Sequence, residues 1–411
     1  MKHILVLAPS SFPINNSEAI SNAKLIYLLA QLGYKVTVFS RISNLSSEAI
    51  YPEGSSEKKI LDLKNINVKY IKVFNGKGLK SIKEHLLCWC KTGYVYRGAN
   101  WSYYAIKEAL KLNKKDKIDV LITRGFYTDI AGVYLSKKLG LKWIANWNDP
   151  YPLARFPHPY GKGPYCKIGN RMERLLRDIQ KYSYIHTFPS ARLRDYMLKY
   201  FSMISVDRTV VIPHLAHEDF MVSSKKTDSN KLRLVHAGNV SSPRSPKKFF
   251  QALQNVVKDF PNDIECIFIG RQDADFYKLV ENPVLKSVVK VLPAMKYFDV
   301  MDFLSQSDIS LIIEAECDEG IYLPTKFVDA LQILKPVFCI SPSQGTLHDY
   351  VDKFGIGYFA NNSSVEEISE TLRNIVMDYK QKKLPNFSIS DVEYFFTKSI
   401  GQQYLQLIET M

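Results

Sequence analysis

Cysteine is sparse in this sequence, and its placement excludes two common ways of stabilising a small domain. Six of the 411 residues are cysteine, and only Cys88 and Cys90 lie close together. Their C-x-C spacing has no matching second pair and no nearby histidine, so we predict neither a zinc site nor a disulfide framework. The expectation is a chain of free thiols that binds no metal.

Long apolar runs and the dinucleotide-binding fingerprint are lacking as well. No window reaches the roughly 18 uninterrupted apolar residues that a membrane-spanning helix requires. The N-terminal segment MKHILVLA has a short apolar run that leads into Pro9 without a cleavage pattern, so we interpret it as a first strand and not as a signal peptide. The loop after it has no G-x-G-x-x-G, which argues against an NAD-dependent enzyme.

The net charge of +14 is distributed unevenly along the chain. Residues 1–204 contain 33 Lys and Arg against 14 Asp and Glu, or +19, whereas the remaining residues contain 22 against 27, or −5. The basic residues form neither a compact run nor a nucleic-acid-reader motif, so no nucleic acid partner is predicted. An anionic membrane surface or a phosphate-bearing substrate would explain the basic half, and so would a generally basic proteome.

Short β-rich runs alternate with amphipathic segments, a pattern typical of parallel sheets covered on both faces. We predict an α/β protein with two Rossmann-like domains that face each other across a cleft. The domains are expected at residues 1–204 and 231–390, with a linker at 205–230 and a C-terminal helix at 391–411 that crosses back to the first domain. The predicted strands begin at His3, Lys35, Ile66, Asp119, Lys142 and Tyr184 in the first half and at Leu232, Ile264, Val288, Ile309 and Pro336 in the second.

Three loops of the first domain follow strands, and ligands of open α/β sheets bind at the carboxyl ends of strands. Residues at a helix start in the first loop either help to hold an anion or act as ordinary caps. Arg124 is placed to meet a phosphate or to form a surface ion pair. The carboxylate of Asp149 is placed to orient a hydroxyl, to accept its proton or to cap a turn. The candidates in these loops are Asn15, Asn16, Ser17, Arg124, Asn148 and Asp149.

The second domain has a denser set of candidates. Gly238 permits close approach of the backbone, and Arg244 precedes a helix, where a fixed cation beside free N–H groups suits a diphosphate. In the segment ECDEGIYLPTKFVDALQILKPVFCIS, Pro324 is expected in the first turn of a helix that leaves Lys326 and Asp329 on a more exposed face. The alternative is a capped helix with solvated charges. The candidates are Gly238, Asn239, Arg244, Lys247, Arg271, Met295, Pro324, Thr325, Lys326 and Asp329.

Together these pieces resemble the GT-B glycosyltransferases, specifically the family-4-like, retaining enzymes that use nucleotide sugars. The segment LPTKFVDALQILKPVF is similar to the family's P-[ST]-K-hh-E-hhA-hGKPV element, and HAGNVSSPRSPKKFFQAL is similar to its glycine loop with R-x-P and a helix. NDPY resembles the R-D-P-W element of the acceptor side, and TVVIPHL resembles the VIPNG linker strand. The four occur in the family's order, and the resemblance covers nearly the whole chain.

The resemblance implies a role for several individual residues. Arg244 would contact the donor diphosphate with Lys326 as a second charge, and Asp329 would bind the ribose where the family usually has a glutamate. Glu319 would face the donor sugar. The family's E-x7-E pair is not intact, because Phe327 stands where the partner of Glu319 would be. Such departures indicate a divergent branch.

We therefore predict a glycosyltransferase that moves a sugar from a nucleoside diphosphate sugar, of the UDP or GDP type, to a hydroxyl of a glycan or lipid-linked acceptor. It is expected to need no cofactor or metal, to retain the anomeric configuration and to serve bacterial surface polysaccharide synthesis, in the cytoplasm or on the inner face of the membrane. Asp149 and Glu319 would orient the reactants. The alternatives are a GT-B sugar-nucleotide epimerase and a non-catalytic sugar-nucleotide-binding protein.

Overall fold

The computed structural model describes residues 1–11, 16–41, 64–73, 78–96, 98–222 and 230–411. They fall into two units, each with its own sheet. The first unit contains Met1–Arg155, Pro164–Leu215 and Lys398–Met411, and the second contains Phe156–Gly163 and Ala216–Thr397. A short piece of the first half therefore belongs to the second unit, and the end of the chain belongs to the first.

The first unit is built on a parallel sheet of seven strands. These strands are β1 His3–Leu7, β2 Lys35–Arg41, β3 Ile66–Ile71, β4 Val120–Arg124, β5 Lys142–Asn146, β6 Ile185–Phe188 and β7 Thr209–Val211. Their order is β3-β2-β1-β4-β5-β6-β7, so the direction of winding reverses between β1 and β4. The sequence HILVL places β1 at the centre, because all five of its side chains are buried, as a strand covered on both faces requires.

Helices connect these strands and cover the sheet. They are α1 Ser17–Gln31, α2 Leu79–Thr92, α3 Ala99–Lys115, α4 Asp129–Leu139, α5 Asn170–Tyr182 and α6 Ala191–Leu198. None of the helices in the described parts of the chain is long and apolar enough to cross a membrane.

The second unit contains a parallel sheet of six strands. These are β8 Leu232–Ala237, β9 Ile264–Ile269, β10 Val289–Leu292, β11 Ile309–Ile313, β12 Val337–Ser341 and β13 Gly357–Asn361. The order β10-β9-β8-β11-β12-β13 reverses between β8 and β11. Alternate residues of β11 enter different apolar clusters, since Leu311 packs with the cluster of Phe249 and Phe268 and Ile312 packs with that of Phe327 and Phe395. Both faces of this sheet are therefore covered.

The helices that provide this cover follow the strands in alternation. They are α7 Lys247–Asp259, α8 Ala274–Val280, α9 Pro283–Val288, α10 Tyr297–Ser305, α11 Thr325–Gln332, α12 Thr346–Phe354 and α13 Val365–Lys380.

The predicted α/β fold with two Rossmann-like domains is confirmed, and a strand is present at each predicted position. The extended run TVVIPHL contains β7, which pairs with β6 in the first sheet. One strand, β13, was not predicted. It begins at Gly357 on the edge of its sheet, and four of its five residues are only half-buried, so neither a long apolar run nor a clean alternation marks it in the sequence.

The end of the chain differs in detail from the single amphipathic segment expected at 391–411. Helix α14 spans Thr397–Glu409 and buries Ile400, Tyr404 and Leu407. The preceding residues form a short 3-10 helix, in which Phe395 packs into an apolar cluster of the second unit. The aromatic residues before Thr397 thus stabilise the second unit, while α14 belongs to the first.

Candidate functional site

The carboxyl ends of β8 and β11 form the switch point of the second sheet, where open α/β sheets bind their ligands. Gly238 follows β8 with φ 130°, a conformation that favours glycine. A Cβ atom at this position would lie 3.2 Å from the Nζ atom of Lys326. Gly238 therefore allows both the turn of the backbone and the close approach of a lysine from α11.

Lys326 and Asp329 are more exposed than Phe327 of the same helix, as predicted, but Lys326 is not a freely solvated charge. Its side chain is partly buried, and its Nζ lies 3.2 Å from Nε2 of His236, a buried residue of β8. The arrangement follows from the packing of α11 beside the switch point, which a one-dimensional pattern of apolar residues does not contain. Burial lowers the pKa of Lys326 to about 8, and Glu314, which favours the charged form, offsets this only in part.

His236 is held in a single neutral form by its surroundings. Its Nδ1 lies 3.0 Å from the carbonyl oxygen of Leu311 and donates to it, which leaves Nε2 to accept from Lys326. Burial, reinforced by the Lys326 ammonium, holds the pKa of His236 well below its usual range. His236 therefore positions the ammonium without adding charge.

Arg244 forms the second cationic group of this site. Its Nε lies 3.2 Å from Oε2 of Glu314 and donates to the hydroxyl of Tyr160 at 3.1 Å. The neighbouring Glu314 carboxylate is the main reason why the pKa of Arg244 is raised. Glu314 itself is only 8% exposed, and its Oε1 has no hydrogen-bond partner among the described residues. The Glu314 carboxylate thus fixes the Arg244 guanidinium through Oε2, while Oε1 remains available to a hydrogen-bond donor.

Asp329 lies one helical turn after Lys326 in α11. Its Oδ1 accepts a hydrogen bond from the hydroxyl of Tyr297 at 2.8 Å, and Nε2 of Gln332 lies 3.4 Å from the same hydroxyl. Burial and the Asp329 carboxylate raise the pKa of Tyr297 well above its usual value, so this tyrosine is a permanent donor. The tyrosine therefore orients the shorter acidic side chain.

The other predicted donor residues lie around this centre with differing contacts. Oδ1 of Asn239 accepts from the backbone N–H of Arg271 at 2.9 Å, which ties the loops after β8 and β9 together. Lys247 begins α7 and is exposed, as is Arg271. Met295 packs beside an apolar cluster that includes Val235.

The start of α11 differs by one position from the prediction. The helix begins at Thr325, and Pro324 is the extended residue before it, with ψ 139°. Pro324 therefore ends the preceding loop and directs the chain into the helix, instead of forming its first turn.

A small pocket lies next to Glu314, and part of its lining comes from the loop between β11 and α11. Cys317 and Gly320 line this pocket together with Tyr160, Glu314 and Ser341. Glu319, which was predicted to face the donor sugar, is not among the lining residues, although it stands between two of them in the chain. Among the described residues, Oγ of Ser341 is buried without a hydrogen-bond partner.

The first unit brings some of its predicted residues together in a second polar pocket. Arg124 ends β4 and is 4% exposed, so it is not the surface residue that a typical ion pair would require. Its Nε donates to Oδ1 of Asn22 at 2.5 Å, and its Nη2 lies 3.3 Å from Oγ of Ser21. Burial lowers the pKa of Arg124 from its usual value. The hydrogen-bond partners of this buried guanidinium are therefore neutral, while the Glu18 carboxylate favours its charged form.

Two asparagine side chains line the same pocket. Asn146 ends β5 and is 7% exposed, and Asn148 follows two residues later. The Oδ1 atoms of both are buried and have no hydrogen-bond partner among the described residues. Buried amide oxygens without donors are costly, so this pocket is suited to a ligand that carries hydroxyl groups. The rest of the lining comes from Ser21, Leu25, Ile212, Pro213, His214, Leu215, Ile400 and Tyr404.

The remaining acceptor-side candidates are less closely involved. Oδ1 of Asn16 accepts from the backbone N–H of Ala19 at 2.8 Å and so caps α1, while Ser17 is the exposed first residue of that helix. Asp149 is exposed and helps to raise the pKa of the neighbouring Glu18, for which burial is the larger cause. Asn15 lies outside the described residues.

Several residues of these sites were missed in the sequence, among them Tyr297 and Asn146 and three that contact or neighbour the two cations. His236 is a polar residue two positions before a glycine in a buried strand, and Glu314 is an acid at the end of a buried strand. Both are recognisable signals of a strand-end site. Tyr160 carries no such signal, because it reaches the second unit from a loop of the first half of the chain.

Solved structures of similar fold cover this chain from end to end. The Anabaena protein Alr3699/HepE, in complex with UDP and glucose, matches with a TM-score of 0.68 at 14% identity over 100% of both chains. Sucrose-phosphate synthase from Thermosynechococcus elongatus matches with a TM-score of 0.70 at 13% identity over 100% of this chain and 99% of its own. TarM of S. aureus, in complex with fondaparinux, alpha-GlcNAc-glycerol and UDP, matches with a TM-score of 0.69 at 11% identity over 99% and 100%.

The two parallel sheets thus have the fold of these solved structures, which is the GT-B fold. Residues 218–387 match the family model described as glycosyl transferases group 1. This segment contains Arg244, Glu314, Lys326 and Asp329, so the strand-end site lies within the part of the chain that is similar to group 1 glycosyl transferases. No curated protein sequence matches the chain.

Proposed function

We propose that this protein transfers a sugar from a nucleoside diphosphate sugar of the UDP or GDP type to a hydroxyl of a glycan or lipid-linked acceptor, with retention and without a metal ion. The observation that carries the donor assignment is the partly buried ammonium of Lys326 beside Gly238. Burial lowers the pKa of Lys326 to about 8, so its removal from water disfavours the charged form in the free protein. An anion at the switch point would favour the charged form again.

A diphosphate is the anion that fits the surroundings of Lys326. Arg244 provides a planar fork of donors near the start of α7, and Lys326 provides a point charge near the start of α11. These two cations would stabilise the negative charge that develops on the leaving diphosphate. In other transferases a bound divalent cation has this role. Asp329, oriented by Tyr297, would accept a ribose hydroxyl. HepE and TarM, which share this fold, form complexes with UDP, and this supports a nucleotide-linked donor.

The acceptor would be held in the first unit. The Arg124 guanidinium and the buried amide oxygens of Asn146 and Asn148 together suit a polyol that also bears a negative charge. Asp149, at the next position, would orient the attacking hydroxyl, and Glu319 would orient the donor sugar. We place the reaction in the cytoplasm or on the inner face of the cell membrane, in the synthesis of a surface polysaccharide.

Binding and turnover without added metal test this proposal. Purified protein would be mixed with UDP-, GDP- and dTDP-sugars in EDTA, and both the thermal midpoint and donor hydrolysis would be measured. We expect one nucleotide class to raise the midpoint and to be hydrolysed slowly. If no nucleotide sugar raises the midpoint, the donor site is wrong; if EDTA abolishes both signals, the metal-free mechanism is wrong.

Variants separate the proposed site from general effects of charge. Arg244→Met and Lys326→Met should each lower turnover by about 10²- to 10³-fold, as expected for a preorganised group that stabilises developing charge. Lys278→Met removes an exposed lysine that pairs with Asp275 at 3.0 Å, and turnover should be unchanged. Equal effects of all three changes would show that the loss follows net charge and not the site.

A variant of Glu314 tests whether this carboxylate orients Arg244. Glu314→Gln keeps the size of the side chain but removes the charge that fixes Arg244. We expect a higher KM for the donor and a smaller fall in kcat than Arg244→Met causes. An unchanged KM would mean that Arg244 is oriented without this carboxylate.

A further inference from the structure

Helix α2, Leu79–Thr92, turns its apolar side chains to solvent. Leu79 is 85% exposed, Ile82 64%, Leu86 51% and Trp89 45%. These four residues are spaced by three or four positions, so they form one stripe along the helix. We call them the α2 stripe.

The opposite face of α2 is the one that packs against the protein, and it is polar. Glu84 is 5% exposed and accepts hydrogen bonds from Asn100 and Tyr104. The buried thiol of Cys88 donates to the carbonyl oxygen of Ala99. A helix that only covers a core points its apolar side inward. Since α2 has the reverse orientation, the α2 stripe is not needed for the folding of the first unit.

The surroundings of the α2 stripe are basic. Lys83 is exposed beside the stripe on α2, and Arg171 lies over the ring of Trp89 at 5.9 Å on its other side. Arg174 and Arg177 are exposed on the same helix as Arg171. The only acidic residue of α2, Glu84, is buried.

The acidic residues of the neighbouring helix α5 do not offset this charge. Glu173 pairs with Arg155, and Asp178 accepts a hydrogen bond from Tyr94. The stripe and its flanking cations therefore present an apolar centre with a positive rim.

The positive rim selects among the surfaces that could cover the stripe. A second copy of this chain would bring two positive rims together, because residues 1–204 carry a net charge of +19. A nucleic acid offers phosphates but no apolar layer for four large side chains. A bilayer with anionic headgroups offers both, since such helices lie with the apolar face in the acyl boundary and the basic groups among the phosphates.

We propose that the α2 stripe and its basic rim dock the first unit onto an anionic phospholipid surface. The stripe would enter the interface with Trp89 near headgroup level, while Lys83 and Arg171 contact lipid phosphates. This inference does not depend on the donor chemistry, because vesicle binding requires no nucleotide sugar. It specifies which surface would bring the enzyme to a lipid-linked acceptor.

Trp89 provides a direct readout of docking. The other three tryptophans, Trp101, Trp143 and Trp147, are buried, so a change in emission on adding vesicles would come from Trp89. With vesicles of phosphatidylglycerol and phosphatidylcholine we expect a blue shift, and quenching by brominated lipid acyl chains. With phosphatidylcholine alone, or at high salt, binding should weaken. Trp89→Phe should remove the optical signal while co-sedimentation with the vesicles persists.

Paired variants distinguish the α2 stripe from exposed apolar residues elsewhere in the protein. Ile82→Gln with Leu86→Gln should lower vesicle affinity by about tenfold or more, because two large apolar side chains lose their place in the lipid. Met377→Gln is the matched control, since Met377 is a 45% exposed apolar residue of the second unit. The Met377→Gln variant should bind vesicles as tightly as the parent protein does. Donor hydrolysis should be unchanged in the stripe variant and in this control.

Two results would overturn the proposal. One is vesicle binding that is equal in the stripe variant and the Met377→Gln control. The other is a protein that ignores vesicles but forms dimers in sedimentation experiments that the stripe variant abolishes, which would assign the stripe to a second copy of the chain.

Discussion

Replacement of Lys326 by methionine removes one cation of the proposed donor site, and its effect on proton uptake is a sharp test of that site. Burial lowers the pKa of this lysine from 10.5 to about 8. A shift of that size corresponds to a free-energy difference of about 3 kcal/mol between the charged and neutral forms. A diphosphate beside the ammonium favours the charged form and moves the pKa back toward its ordinary value, so donor binding and protonation are linked.

This linkage predicts how many protons the protein takes up when the donor binds at a given pH. Near pH 8 about half of the Lys326 side chains are neutral in the free protein, so binding of UDP-glucose, or of the corresponding GDP sugar, takes up about half a proton. Near about pH 6.5 the side chain is already charged, and uptake is close to zero. Above pH 8, affinity should fall by up to about tenfold per pH unit, because the protein must first gain a proton.

Calorimetric titration in phosphate and Tris buffers measures this uptake, because the two buffers differ in their enthalpy of ionisation. A nucleotide sugar is suitable since its diphosphate does not titrate near pH 8. Lys326→Met should take up no proton at either pH, and Lys326→Arg should take up none while keeping part of the affinity. If the parent protein and Lys326→Met take up the same number of protons at pH 8, Lys326 is not the group that gains a proton on donor binding.

The same variant has an opposite effect on stability in the absence of donor. The folded protein pays for the buried charge at every pH below about 8, and this penalty disappears between pH 8 and 10.5 as the lysine becomes neutral. Lys326→Met should therefore raise the free energy of unfolding by at most about 3 kcal/mol at neutral pH. Urea denaturation at pH 7 and at pH 10 checks that the gain shrinks at the higher pH.

Three further predictions concern other buried groups. Burial raises the pKa of Asp129 to about 8, so stability should fall as pH rises from about 4 to 8, and Asp129→Asn should have a higher thermal midpoint than the parent at pH 9 but not at pH 4. Gly238→Ala combines backbone strain with a contact at 3.2 Å to Lys326, so it should lose turnover and stability; Gly33→Ala, with φ 87° and open space, should lose only about 1–2 kcal/mol of stability. Arg124→Met should raise the KM for the acceptor and leave donor hydrolysis unchanged; a rise in the donor KM instead would place Arg124 elsewhere in the reaction.

Parts of the donor site were visible in the sequence because each is a short pattern along one element. Gly238 follows a buried strand, and Lys326 stands in the first turn of a helix after a proline. Arg244 lies between the same strand and the next helix. Since a parallel sheet brings the carboxyl ends of its strands to one edge, such local patterns predict a common location.

Other parts of the two sites depend on contacts between distant residues. The partner of Lys326 is His236, 90 positions away, and the hydroxyl that meets Arg244 comes from Tyr160, 84 positions away. Arg124 was expected to bind a phosphate or form a surface pair, yet its neighbours Ser21 and Asn22 come from α1. Periodicity within one element says nothing about which side chains of another element arrive beside it, so these contacts were not predictable.

The sequence by itself determined the alternation of strands and helices, the uneven charge of the two halves and the resemblance to family-4-like GT-B glycosyltransferases. These properties depend on local composition and on the 2- and 3.6-residue periods of strands and helices. Only the tertiary structure decided that the Lys326 ammonium is partly buried, that Arg124 lies in a pocket, and that α2 turns its apolar stripe outward. The pKa of a side chain and the exposure of a helix face depend on what packs against them, and that packing is a property of the whole fold.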